Sequence, residues 1–113
     1  MCGIVAVFRR NGAPVLQDEI LAMRDSMTHR GPDECGVHLD GNVGLGHRRL
    51  NIIDLSSGQQ PMANARGTVH VIFNGEIYNY RELRRLLEAK GVQLRTQSDT
   101  ETILGLYDLY GTD

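Results

Sequence analysis

The chain has 113 residues, 41% hydrophobic and 23% charged, the size and composition of one ordinary globular domain. Fourteen acidic against twelve basic residues leave a formal charge of −2, so no overall positive field draws it to nucleic acid or to an anionic membrane. No apolar run is long enough to span a bilayer and the start lacks a secretory pattern, so a cytoplasmic protein is expected.

The two cysteines, Cys2 and Cys35, supply neither a disulfide framework nor a Cys-x-x-Cys metal pair, which excludes a structural zinc site from the expectations. Trp is absent and Phe occurs twice, so a core must rest on Ile, Leu, Val and Met.

In chain order, Gly3 to Phe8 is short, apolar and partly β-branched and is followed by Asn11-Gly12, which predicts a buried strand with Cys2 at its head. Ile20, Leu21, Met23 and Met27 recur at helical spacing behind Asp18, predicting a helix from Asp18 to about Thr28 that Gly31-Pro32 ends. Gly36 to Leu39 and Val43 to His47 flank Asp40-Gly41, a hairpin signal, and the second strand is expected to continue through Leu50 to Ile53.

Residues 56–61 have loop composition, and Thr68 to Phe73 reads as a strand entering the turn Asn74-Gly75. Asn79 with Glu82 forms a capping-box pattern before a helix with Leu83, Leu86 and Leu87 inward, closed by Gly91. After a short strand, Ser98 with Glu101 repeats the device before a last helix through Tyr110. The order implies an α+β fold with helices covering sheets.

Several residues could carry chemistry. If Met1 is removed, Cys2 offers a thiol beside a free α-amine, with reference pKa values of about 8.5 and about 7.7 to 8.0, so one residue supplies nucleophile and base. Taken alone, Cys2 reads first as a small buried side chain in a strand. Alternation along His47-Arg48-Arg49 sends Arg48 to one face and His47 and Arg49 to the other, where the Arg49 fork could grip a carboxylate or simply meet solvent. Asn74-Gly75 could aim a side-chain amide and a backbone N–H at one point, as an oxyanion hole requires, or form a plain turn. Asp99 stands where a helix cap alone would account for it.

Together Met1-Cys2-Gly3-Ile4, His29-Arg30-Gly31-Pro32-Asp33, Gly46-His47-Arg48-Arg49-Leu50 with Ile53-Asp54-Leu55, Gln60-Pro61-Met62, Asn74-Gly75-Glu76-Ile77-Tyr78-Asn79 and Ser98-Asp99-Thr100-Glu101 resemble class II glutamine amidotransferases, nearest the glutamine-hydrolysing asparagine synthetase branch. The resemblance covers nearly the whole chain in family order. It implies an N-terminal-nucleophile hydrolase fold, with antiparallel sheets stacked between helical layers in four layers, incomplete at the C-terminus. It further implies that residues 1–113 are the amino-terminal portion of the amidotransferase domain, without the synthetase domain.

By the same resemblance Cys2 is the nucleophile and Asn74 and Gly75 form the oxyanion hole. Arg49 would clamp the glutamine α-carboxylate and Asp99 its α-ammonium, while Leu50, Asn51, Ile52, Ile53 and Glu76 line the pocket. His29, Arg30 and Asp33 shape the loop beside Cys2. The partner implied is L-glutamine, with ammonia passed to an acceptor, most directly aspartate; ATP and magnesium belong to the absent synthetase domain, and this segment needs no cofactor. Unfinished sheet edges would leave such a segment either in need of a second copy as partner or poorly stable. Alternatives are a catalytically silent glutamine-binding or assembly module, or an amidotransferase of the same branch with another acceptor. Cys35 receives no role.

Overall fold

The computed structural model describes residues 2–50 and 58–112. These form two compact units, one of residues 2–50, 59–61 and 72–74 and one of residues 58, 62–71 and 75–112. The expected strand continuation through Asn51, Ile52 and Ile53 lies outside the described residues. Among the described residues the elements are α+β: antiparallel sheets and three helices.

In the first unit, strands β1 (Gly3–Phe8), β2 (Glu34–Asp40) and β3 (Val43–Arg49) form an antiparallel sheet in the order β1-β3-β2. Helix α1 (Gln17–Asp25) packs on one face of it. Its fully buried Ile20 comes close because β3 has no side chain at Gly44, where a Cβ would stand 2.7 Å from Ile20 Cγ1. A Cβ at Gly3 would likewise stand 2.9 Å from Met27 Sδ.

The predicted buried strand is buried on one face only: Ile4 is 44% and Phe8 69% exposed, because α1 covers the opposite side of the pleat. Helix α1 also starts and stops earlier than its apolar spacing suggests. Leu16 is the N-cap, with Asp18 and Glu19 in the first turn, where their charge suits the helix dipole. Past Asp25 the hydroxyls of Ser26 and Thr28 donate to the carbonyls of Met23 and Asp25, and the chain tightens into i→i+3 turns.

The β2–β3 hairpin turns one residue later than predicted. Asp40 pairs with Val43, so Gly41 and Asn42 make the loop, with φ of 55° at Gly41. Asn42 is fixed there by its side-chain bond to the Arg9 carbonyl at 2.9 Å.

In the second unit, β4 (Met62–Ala63) and β5 (His70–Val71) form a short antiparallel pair beside α3 (Thr100–Tyr110), which also packs on α2 (Tyr80–Ala89). The strand expected over Thr68 to Phe73 shrinks to His70–Val71 because buried Asn64 organises the preceding turn. Its Oδ1 accepts from the Thr68 N–H at 2.8 Å and the Val69 N–H at 3.2 Å. Among the described residues, no strand forms between α2 and α3, where a short one was expected.

Helix α2 ends as foreseen. Gly91 has φ of 89°, and the bonds Gly91 N–H to Glu88 and Val92 N–H to Leu87 complete a Schellman motif. Leu87 is fully buried against Gly105, whereas Leu86 is exposed, because the contact with α3 is narrower than three leucines. Asn79 is the N-cap but makes no side-chain cap bond. The buried residues Val15, Ile20, Met62, Leu87 and Leu104 match the predicted core composition.

Candidate active site

Cys2 immediately precedes β1. Since Gly3 pairs with Arg48 in the antiparallel β1–β3 ladder, Cys2 stands at the Arg49 end of β3. It is half-buried, a free thiol, and its carbonyl accepts from Arg30 Nε at 3.3 Å.

Arg30 belongs to the turn 29–33, which lies against the end of β3. The Asp33 N–H donates to the Arg49 carbonyl at 3.0 Å, and Arg48 Nε donates to the Gly31 carbonyl at 3.0 Å. Gly31 is buried where a Cβ would run into the Arg48–Arg49 backbone. Arg48 reaches on to Asp25, 3.2 Å away. The Asp25 carboxyl is held below its ordinary value chiefly by the hydrogen bond from Arg24, with Arg48 adding to it. His29 is exposed on this turn.

Alternation along β3 is as expected. Arg48 turns to Gly31 and Asp25, while His47 and Arg49 share the other face and are both buried. Arg49 donates from Nη1 to the Glu34 carboxylate at 3.2 Å, across a directly opposed pair of β2 and β3. Arg49 thus presents a planar, buried guanidinium already ion-paired to one carboxylate. Leu50, half-buried, follows it; Asn51, Ile52 and Ile53 lie outside the described residues.

His47 was not among the residues singled out for the site. It is 1% exposed, and its Nε2 lies 3.3 Å from the Phe73 carbonyl. Burial pushes its pKa down and the Arg49 charge adds to this, opposed by the Phe73 contact and by Glu34. Gln60, buried like His47, accepts from the Phe73 N–H at 2.6 Å. Both were legible only as letters of motifs, since nothing in their spacing points to Phe73. Asn74, exposed, follows directly in the same unit.

The first unit thus holds Cys2, His29, Arg30, Asp33, Arg49, Leu50 and Asn74, and the second holds Gly75, Glu76 and Asp99. Gly75 forms a bend, and Glu76 is exposed. Asp99 is the N-cap of α3, yet its side chain caps nothing there; Oδ2 accepts from the Ile77 N–H at 2.9 Å. Glu101 does not complete the predicted box with Ser98. Its buried carboxylate accepts from the Arg95 N–H at 2.8 Å and from the Thr96 N–H and hydroxyl at 2.7 Å, pinning the loop that leads to Asp99.

A family model described as a glutamine amidotransferase domain matches residues 1–113. The chain belongs to that family. Among curated relatives, glutamine-hydrolyzing asparagine synthetase 1 of Bacillus subtilis (strain 168) is 48% identical over 113 residues, covering 97% of this chain and 18% of the relative. The corresponding synthetase 1 of Arabidopsis thaliana is 43% identical over 114 residues, covering 100% and 19%. Synthetase 2 of Bacillus subtilis is 43% identical over 115 residues, covering 98% and 15%. The chain therefore spans roughly a fifth or less of the length of these relatives. The amidotransferase motifs read from the sequence run from Cys2 to Glu101, inside the matched region. Among the described residues, no helix is long and apolar enough to cross a membrane.

Proposed function

We propose that the chain hydrolyses the side-chain amide of glutamine, with Cys2 as nucleophile once Met1 has been removed. The observation that carries this reading is the position of Cys2 at the Arg49 end of β3, in a chain matched throughout by an amidotransferase family. The thiolate attacks Cδ of glutamine, and the Cys2 α-amine passes the thiol proton to the leaving ammonia. Water then cleaves the γ-glutamyl thioester to glutamate and regenerates the thiol.

The oxyanion is held by the Asn74 side-chain amide and the Gly75 N–H, each such donor contributing about 3 to 4 kcal/mol of transition-state stabilisation. Arg49 grips the α-carboxylate, Asp99 takes the α-ammonium, and Glu76 and residues 50–53 line the pocket. Buried Arg49, with one of its donors on Glu34, supports the first of these roles. The Ile77 N–H bond, which fixes the Asp99 carboxylate, supports the second. His29, Arg30 and Asp33 support the Cys2 side of the pocket, Arg30 through the Cys2 carbonyl.

The same reading makes residues 1–113 the amino-terminal portion of a four-layer N-terminal-nucleophile domain in a cytoplasmic protein. Ammonia goes to aspartate on a synthetase domain of the natural chain, as the names of the relatives suggest. Among the described residues no group of three His, Cys, Asp or Glu side chains could hold a metal ion. No step above passes through ATP or magnesium, which would act on that other domain.

A glutaminase assay tests the proposal on protein shown by mass spectrometry to begin at Cys2. Glutamate release well above a Cys2→Ala control is expected; release equal to that control leaves only a silent binding module.

A further inference from the structure

The segment that carries Asn74 has an unusual support. Strand β5 ends at Val71, so residues 72–74 lie beyond its short ladder, and both main-chain polar groups of Phe73 are met by side chains. The N–H donates to Gln60 Oε1 at 2.6 Å, and the carbonyl contacts His47 Nε2 at 3.3 Å. A carbonyl can only accept, so His47 is the donor and carries its proton on Nε2. Burial favours the neutral form of that ring over the charged one.

These two contacts fix different planes. The Phe73 carbonyl lies in the peptide unit that ends at the Asn74 Cα, and the Phe73 N–H lies in the unit before it. With both orientations set, the point from which the Asn74 side chain springs is set as well.

The supports are themselves rigid. His47 sits on β3, the central strand, paired with Ile4 on one side and Gly36 on the other. Gly36 lacks the Cβ that would occupy the place of the Gln60 carbonyl, so the chain at Gln60 lies directly over the sheet beside His47. A glycine opposite the histidine thus seats the glutamine.

We propose that His47 and Gln60 are positioning residues for glutamine hydrolysis, which fix the two peptide planes on either side of Phe73 and thereby set the Asn74 amide at the oxyanion. The proposal rests on the oxyanion role of Asn74 given above, and it adds a substrate-free pair that acts only through that residue. Misplacement of a catalytic donor by about 1 Å can cost a hundredfold in rate.

The test is a double-mutant cycle between His47→Leu and Asn74→Ala in protein with Met1 removed, reading kcat and KM for glutamine. The rate of Cys2 carboxymethylation by iodoacetamide, a displacement that builds no oxyanion, is measured alongside. His47→Leu is expected to lower kcat by about 10- to 100-fold with KM changed less than about threefold and the alkylation rate unchanged. His47→Gln, which can present an N–H at similar reach, restores most of the loss. In the Asn74→Ala background His47→Leu then has little further effect.

Gln60→Met, which leaves β3 intact, is expected to show the same pattern and serves if His47→Leu does not fold. A full, additive loss in the Asn74→Ala background overturns the proposal, as does a loss confined to KM or an equal fall in alkylation. If Asn74→Ala itself leaves kcat unchanged, the oxyanion reading fails first, and the positioning role falls with it.

Discussion

The guanidinium of Arg49 and the carboxylate of Glu34 face each other across the β2–β3 ladder at 3.2 Å, in a site where Arg49 is 6% exposed. A guanidinium can grip a carboxylate through two parallel N–H donors, which a lysine cannot arrange in the same plane. Arg49→Lys is therefore expected to raise KM for glutamine about tenfold, about 1.4 kcal/mol, while kcat changes far less. Steady-state kinetics decide this, and an unchanged KM would remove Arg49 from the substrate's carboxylate end.

Gly31 is the tightest point between the Arg30 turn and β3, since a Cβ there meets the Arg48–Arg49 backbone, which cannot step aside as a flexible side chain could. Gly31→Ala is expected to destabilise the fold by about 1 to 3 kcal/mol, read as a lower urea midpoint. A midpoint equal to that of the unsubstituted chain would mean that the turn does not lie against β3.

Glu101 is buried and receives donors from Arg95 and Thr96. Glu101→Gln turns part of that acceptor into a donor facing N–H groups, at a cost of about 2 kcal/mol in unfolding free energy. The loop before Asp99 loosens with it, so KM for glutamine should rise too. Equal urea curves for the two proteins would rule out the pinning role.

His47 gives the stability a pH dependence of defined sign. Its folded pKa lies below its ordinary value of 6.5, so in the interval between the two the unfolded chain binds more protons. The contribution is present in full above about pH 6.5 and is lost as pH falls through the folded value. His47→Gln should flatten the unfolding free energy against pH on the acid side of about 6.5 relative to the wild type, as urea titrations at several pH values would show. An identical slope in both proteins would contradict the burial of a neutral ring.

Much of this was legible in the sequence wherever one local rule decided the outcome. Gly91 after an apolar helix gives the Schellman end of α2, and alternation along β3 separates Arg48 from His47 and Arg49. Failures came where a tertiary partner outbid a local pattern. Glu101 had the spacing of a capping box with Ser98, but the donors of Arg95 and Thr96 claim its carboxylate. The hairpin signal at Asp40-Gly41 slipped by one residue because Asn42 is tied to Arg9. The supports of Phe73 were invisible for a related reason: Gln60 and His47 meet it from 13 and 26 residues away, a distance no periodicity reports.

The central claim is that Cys2 is the thiol that attacks glutamine, and covalent trapping tests it most directly. Protein confirmed to begin at Cys2 is incubated with a glutamine-like electrophile, with and without excess glutamine, and digested for peptide mass spectrometry. One adduct on the N-terminal peptide, suppressed by glutamine and absent from Cys2→Ala, is the predicted result. An adduct on the peptide containing Cys35, or labelling of Cys2 that glutamine does not suppress, would contradict it.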